Sequence, residues 1–103
     1  MGLCVISGMP ALDPDGKFVP GTFEEEIELA WHNVVAVGKA AGYSIDGIIY
    51  VQLGDIDNYG DLDSWWRQQF PDISTAPARF TFQAPAPPFG AKIEIPAVAA
   101  RGT

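Results

Sequence analysis

Hydrophobic positions follow a helical period over one long stretch of the chain, from Thr22 to Gly42. Apolar side chains recur there every three or four residues, which places them on one stripe of a helix. The stripe consists of Phe23, Ile27, Ala30, Trp31, Val34, Val35 and Gly38. Thr22 and Glu25 have the spacing of a capping box, and Gly42 stands where helices commonly end. The pattern therefore predicts the longest helix of the fold here.

Shorter apolar stretches predict four strands and a second helix. The strands are LCVISG at 3–8, IIYVQL at 48–53, ARFTFQ at 78–83 and AKIEIPAV at 91–98. The second helix is NYGDLDSWWRQQF at 58–70, which ends before Pro71. The order is β-α-β-α-β-β without a long linker, so residues 1–103 are expected to form a single domain. That domain is an α/β (α+β) layer sandwich with a mixed sheet and two helices on one face.

Composition and charge narrow the classes of partner. The 103 residues are 48% hydrophobic, which allows a small core whose marginal stability favours assembly of several copies. Thirteen acidic and six basic side chains give a net charge of −7, and the pI is near 4.3. Such a chain repels nucleic-acid phosphates and anionic membrane surfaces, so neither a nucleic acid nor a membrane is expected as a partner.

Cysteine and histidine are each present once, as Cys4 and His32. An internal disulfide and a Cys/His zinc site are therefore excluded, and no metal cofactor is expected. The N-terminal stretch lacks a basic region followed by an apolar run, and no apolar run reaches membrane-spanning length. These features predict a soluble protein of a reducing compartment, the cytoplasm.

A lone arginine, Arg79, and a lone glutamate, Glu94, interrupt the two C-terminal strands. Alternation places Arg79 and Thr81 on one face of their strand and the intervening Phe80 on the other, where the helices are expected. If the two strands pair antiparallel across the Pro-rich loop, the apolar-to-apolar register sets Arg79 opposite Glu94. The pair is either an exposed ion pair, worth about 0–1 kcal/mol, or part of a cleft in which the arginine fork binds a carboxylate.

Several stretches together resemble the reactive intermediate deaminase (Rid) family, also called the YjgF family. The matching stretches are SGMPALDPDGKFVPG at 7–21, HNVVAVGKAAG at 32–42, GDIDNYGDLDSWWRQQF at 54–70, APARFTFQ at 76–83 and KIEIPAVA at 92–99. The resemblance runs in order over nearly the whole chain. Its most specific part is the combination of P-A-R, a short strand, a Pro-containing loop and the KIEI strand.

The resemblance implies a fold, an assembly and a reaction. The fold is chorismate-mutase-like, and the assembly is a homotrimer with ligand clefts between its subunits. The reaction is the hydrolysis of enamines and imines, such as 2-aminoacrylate and other small 2-imino acids, to 2-keto acids and ammonia, without any cofactor. The partner so implied is a small-molecule carboxylate.

The resemblance also implies roles for five residues. Arg79 matches the arginine that grips the substrate carboxylate, and Glu94 matches the glutamate that positions the attacking water. Thr81 stands where many members carry a cysteine, and it could offer its hydroxyl to the water or to the leaving ammonia. Ser7 and Gly8 match the SG wall of the substrate-binding cleft.

Departures from the family pattern leave two alternatives open. The chain starts at what looks like the second strand of other members, so no residue matches the tyrosine that closes over the ligand, and Pro96 replaces a glutamate of the last strand. One alternative is a specialised pathway deaminase, acting on a 2-aminomuconate-like or biosynthetic intermediate. The other is a non-catalytic trimer that binds a small carboxylate, as a chaperone-like or signal-binding protein would.

Overall fold

The structure, a computed structural model, describes residues 2–85 and 87–100 and contains the predicted elements. They are β1 (Leu3–Ile6), α1 (Phe23–Ala40), β2 (Ile48–Leu53), α2 (Tyr59–Gln69), β3 (Ala78–Gln83), β4 (Ile93–Glu94) and β5 (Ala97–Ala100). Short 3-10 helices lie at Ile56–Asn58 and Pro88–Gly90. Strands β2 and β3 have the bounds that the sequence predicted.

The five strands form one mixed sheet with the order β1-β5-β2-β3, and β4 pairs with β2 beside β5. Only β2 and β3 are parallel; the other pairs are antiparallel. One face of β2, formed by Ile49, Val51 and Leu53, is buried in a core shared with both helices. The prediction of a mixed sheet with two helices on one face is therefore confirmed.

Helix α1 begins with the predicted capping box. The backbone N–H of Glu25 donates to Oγ1 of Thr22 (3.2 Å), and the N–H of Thr22 donates to Oε1 of Glu25 (2.9 Å). These hydrogen bonds stabilise the carboxylate, so the pKa of Glu25 is lowered. The next residue, Glu26, is unexpectedly buried: it accepts from the backbone N–H and the Nζ of Lys92, at 2.9 and 3.1 Å. This contact ties α1 to the start of β4.

The expected hairpin between the two C-terminal strands is wrong. Strand β3 pairs with β2 in parallel, and β4 pairs with the other edge of β2, so β2 lies between them. The connection crosses the end of β2, where Ala84 donates to the carbonyl of Leu53 (2.8 Å) and Gly54 donates to that of Lys92 (2.9 Å). Strand β2, the most continuously apolar strand, lies at the centre of the sheet because exposing its side chains to water would cost the most free energy.

Pro96 interrupts the last strand as its missing N–H requires. Its carbonyl still accepts from the backbone N–H of Tyr50, at 2.9 Å. The register is the same on both sides of the interruption, with Glu94 opposite Gln52 and Ala97 opposite Ile49. The proline therefore splits β4 from β5 without changing which residues face the helices.

The sheet face that points away from both helices is called the open face here. It carries the exposed side chains of Leu3, Val5, Phe80 and Phe82 and the half-buried side chains of Ile48, Tyr50 and Val98. The four exposed side chains retain 44–76% of their accessible surface. Tyr50 and Phe80 stack with their ring centroids 5.4 Å apart. A band of apolar side chains thus crosses the whole width of the sheet.

No helix within residues 2–85 and 87–100 combines the length and the apolar character needed to cross a membrane.

Candidate active site

Arg79 lies on the helix-covered face of the sheet, not on the open face where it was expected. Its partner in the parallel β2–β3 register is Ile49, which belongs to the core. Paired residues of neighbouring strands point to the same face, so Arg79 faces α2. Only 15% of its side chain is exposed. A cation this far from water needs partners, and α2 supplies them.

Three side chains of α2 hold the Arg79 guanidinium: Tyr59, Asp63 and Trp66. Nη2 donates to the Tyr59 hydroxyl at 3.1 Å and lies 3.5 Å from Oδ1 of Asp63. The guanidinium carbon lies 5.0 Å from the ring centroid of Trp66 and 5.5 Å from that of Tyr59. These three residues were not among the predicted site residues, although their spacing of four and three positions places them on one helix face.

Two buried polar atoms beside this contact have no hydrogen-bond partner in the part of the chain that the structure describes. They are Nη1 of Arg79 and Oγ1 of Thr81. The two residues are two positions apart on one strand, so their side chains point to the same face. Because buried polar groups are nearly always paired in native proteins, this pair is suited to a polar ligand.

Arg79 also lines a cleft of about 700 Å³, called the Arg79 cleft here. Its apolar wall consists of Trp66, Phe70, Pro71, Ile73, Ala76 and Pro77. Its charged residues are Arg79, Arg67 and Asp63, and the Asp63 carboxylate also pairs with Nε of Arg67 at 3.0 Å. The Arg79 cleft therefore combines an apolar wall with two arginines that share one carboxylate.

A turn at Asp72 fixes the rim of the Arg79 cleft. Oδ1 of Asp72 accepts from the backbone N–H and the hydroxyl of Ser74, at 3.0 and 2.7 Å. Both hydrogen bonds favour the carboxylate, so they lower the pKa of Asp72. The turn presents Ile73 at the cleft with 91% of its surface exposed.

Glu94 lies on the open face, next to Gly8 and Ser7. In the register of β2 and β4, Glu94 is paired with Gln52. Gln52 lies between buried positions of β2, so its side chain and that of Glu94 point to the open face. A methyl group on Gly8 would overlap the Glu94 carboxylate, so that carboxylate would have to shift to make room for it. Met9 and Ile95 exchange two backbone hydrogen bonds that hold the two segments side by side. Glu94 and Gly8, together with Ser7 next to Gly8 in the chain, are called the Glu94 corner here.

The structure brings the five predicted site residues together only in two separate groups. Arg79 and Thr81 face the helices, whereas Glu94 lies on the open face with Ser7 and Gly8 nearby. The prediction that Arg79 stands directly opposite Glu94 is therefore wrong within one chain. Among the described residues, no three His, Cys, Asp or Glu side chains are grouped closely enough to hold a metal ion.

The structure thus combines a mixed sheet backed by two helices with a largely buried arginine beside an apolar cleft. The chain belongs to the family whose model is described as Endoribonuclease L-PSP, which matches residues 1–101. This membership confirms the resemblance to the Rid proteins.

Similar proteins from three organisms support the same assignment. The chain is 38% identical over 104 residues to the protein mmf2, mitochondrial, of Schizosaccharomyces pombe, and the match covers 96% of this chain and 80% of that protein. It is 37% identical over 100 residues to the human 2-iminobutanoate/2-iminopropanoate deaminase, with 94% and 72% covered. The crystal structure of E. coli TdcF with bound serine superposes with a TM-score of 0.84 at 27% identity, covering 97% of this chain and 81% of that one.

Proposed function

We propose that this protein is a cofactor-independent imine deaminase, which hydrolyses small 2-imino acids of the 2-aminoacrylate type to 2-keto acids and ammonia. The names of its relatives support the reaction, since several are 2-iminobutanoate/2-iminopropanoate deaminases. The observation that carries the proposal is the buried Arg79 guanidinium, which keeps Nη1 unpaired while its other nitrogen is held by α2.

Arg79 anchors the substrate carboxylate. A carboxylate oxygen at Nη1 would satisfy a buried donor and would meet the cation in a site with little water, where such hydrogen bonds are strong. The Thr81 hydroxyl lies on the same face and can bond to the imine nitrogen or to the attacking water. Held in this way, the electrophilic C2 carbon has a fixed orientation, which is the main requirement of this hydrolysis.

Glu94 positions and activates the water. The water oxygen bonds to C2 of the protonated imine while one of its protons passes to the Glu94 carboxylate and the C=N electron pair moves to nitrogen. Glu94 returns that proton to the nitrogen, the C–N bond breaks, and the new hydroxyl forms the C=O bond. The hydroxyl proton leaves with the ammonia as ammonium. No electron donor or acceptor is needed.

Two copies of the chain are required to bring these groups together. Arg79 and Glu94 of one chain lie on opposite faces of the sheet, so a ligand of a few carbons cannot contact both. The apolar open face offers the surface on which copies would pack, because monomers seldom expose so wide an apolar band. We propose a homotrimer with clefts between subunits, in which Arg79 and Thr81 of one copy face Ser7, Gly8 and Glu94 of the next.

The hydrolysis rate of 2-imino acids generated in place by an amino-acid oxidase tests the reaction. We expect the wild-type protein to accelerate the release of 2-keto acid, and Arg79→Ala to lower kcat/KM by at least about 100-fold, since a charged hydrogen-bond partner is lost. Lys39→Ala, which removes an exposed cation from the end of α1, serves as the matched control.

The same experiment separates the alternatives. No acceleration with any 2-imino acid would contradict the proposed deaminase. Binding of a small carboxylate without turnover would then favour the ligand-binding trimer, whereas turnover of only an unsaturated dicarboxylic amine would favour the specialised deaminase.

We further propose a cytoplasmic location. Microscopy of the tagged protein tests this location. The names of two relatives include the words mitochondrial and chloroplastic, and a signal in such an organelle would contradict the proposed location.

A further inference from the structure

The Arg79 cleft is larger than a three-carbon imino acid requires. Its volume of about 700 Å³ lies within the range of about 300–1,000 Å³ that encloses drug-sized ligands. Most residues of its wall are apolar or aromatic, among them Trp66, Phe70 and Pro77. A substrate whose carboxylate bonds to Arg79 and whose side chain ends at a methyl group would leave most of this wall in contact with water.

The charges of the Arg79 cleft suit an anion with an apolar tail. Asp63 is shared by Arg67 and Arg79, at 3.0 and 3.5 Å, so the three side chains together carry one positive charge. The whole chain carries a net charge of −7, which makes a positive apolar cleft a local exception. The other arginine of this cleft, Arg67, already forms an ion pair with Asp63, so it is less suited to bind a second anionic group of a ligand.

We propose that the Arg79 cleft receives the substrate side chain, and that the protein prefers 2-imino acids with large apolar or aromatic side chains to 2-iminopropanoate. This inference rests on the proposed deaminase function, because it places the carboxylate at Arg79. It names a substrate class for that site: the imines formed by oxidation of leucine, methionine or phenylalanine.

Ile73 is the specificity-determining residue of this proposal. Its side chain is almost fully exposed although the turn that carries it is held by two hydrogen bonds from Ser74 to Asp72. An exposed apolar side chain on an ordered turn gains free energy when a ligand covers it. A large substrate side chain would lie between Ile73 and the aromatic wall, whereas a methyl group would not reach across.

The first test compares kcat/KM for imines derived from alanine, leucine and phenylalanine. We expect the two larger substrates to exceed the alanine-derived imine by at least about 10-fold, the discrimination that a hydrophobic pocket commonly gives. Ile73→Asp should reduce that ratio by about 10-fold, because the loss falls mainly on the larger substrates. Val35→Asp, an equivalent change at an exposed position of α1, should leave the ratio unchanged.

A wild-type ratio at or below one would overturn the inference, and so would a ratio that Ile73→Asp leaves unaltered. Because the alanine-derived imine is measured in parallel, these results differ from a failure of the proposed function, in which no imine is hydrolysed.

A binding measurement keeps the inference testable without turnover. Titration with 3-phenylpropanoate and propanoate, followed by NMR, should show at least about 10-fold tighter binding of the phenyl compound in the wild type. Ile73→Asp should remove most of that difference. Equal affinities in the wild type would mean that the apolar wall is not available to a ligand, and the inference would then be wrong.

Discussion

Arg79 and Glu94 lie in regions of the molecule that are built differently. Three side chains of α2 surround the Arg79 guanidinium within its own chain, and one nitrogen remains unpaired. Glu94 lies on the open face, where its carboxylate occupies the space beside Gly8. In the proposed deaminase, a single copy would therefore supply a complete anchor for the substrate carboxylate but only a partial site for the chemistry.

Under the proposed function, ligand binding would depend on a single chain, whereas turnover would depend on the assembly of several copies. A guanidinium held by packed side chains binds its ligand with little loss of conformational entropy. In the proposed homotrimer, the Glu94 carboxylate would acquire its catalytic surroundings when another copy covers the open face. Binding should consequently tolerate changes on the open face better than turnover does.

The largest effect is expected from a charge on the open face. Val5→Asp places a carboxylate on the most exposed apolar side chain of that face, so burial between copies would cost several kcal/mol. We expect light scattering to give the chain mass of 11.1 kDa instead of about three times that value. Activity should fall by more than about 100-fold, since the reacting groups are no longer held together.

Val35→Asp, on helix α1, is the control for Val5→Asp and should retain both assembly and activity. A monomeric Val5→Asp protein with full activity would show that one chain suffices for the reaction.

Mixing two variants that are each inactive is expected to restore part of the activity. Arg79→Ala chains keep Glu94, and Glu94→Gln chains keep Arg79, so a cleft between two different chains can contain both groups. Random assembly should return about one quarter of the wild-type rate, because each cleft has one chance in two of receiving each intact residue. The measurement is the rate after the two variants are unfolded together and refolded.

Exchange of subunits is verified separately by co-purification of tagged and untagged wild-type chains. A rate no higher than the sum of the two variants, in a mixture whose subunits exchange, would contradict a site shared between copies.

Gly8→Ala is expected to act on turnover more than on binding. The added methyl group would overlap the Glu94 carboxylate and force it to move, while Arg79 remains untouched. A displacement of about 1 Å near the reacting atoms can lower kcat by roughly 10- to 100-fold. Gly60→Ala is the matched control, because a methyl group there meets no atom within 4 Å. A rise in KM with kcat unchanged would place Gly8 in carboxylate binding instead.

Local patterns were sufficient to predict the elements of the fold. The capping box at Thr22 and Glu25 marked the start of α1, and alternation correctly grouped Arg79 with Thr81. Pairing of the two C-terminal strands was predicted wrongly, because it depends on which strand occupies the centre of the sheet. The unbroken apolar character of β2 was the available signal, since a central strand contacts neighbours on both edges.

The covered face was assigned wrongly for a related reason. Phe80 and Phe82 look like core residues in the sequence, whereas in one chain they lie on the open face. The apolar character of a side chain predicts that it will be buried. It does not distinguish burial in the core of one chain from burial in an interface between copies. The α2 residues around Arg79 were missed because their contacts with it span 13 to 20 positions of the chain.

The smallest effect is expected from Tyr59→Phe, which removes one hydrogen bond from the anchor and nothing from the Glu94 corner. The Tyr59 hydroxyl accepts from Nη2 of Arg79, while Asp63 and Trp66 would continue to hold the guanidinium. Loss of a single hydrogen bond, about 0.5–1.5 kcal/mol, corresponds to a rise in KM of roughly 2- to 10-fold. Because the bond orients the carboxylate in the ground state and the transition state alike, kcat should stay the same. Steady-state kinetics with one imine distinguishes the two parameters, and a fall in kcat at constant KM would mean that the anchor also takes part in the chemistry.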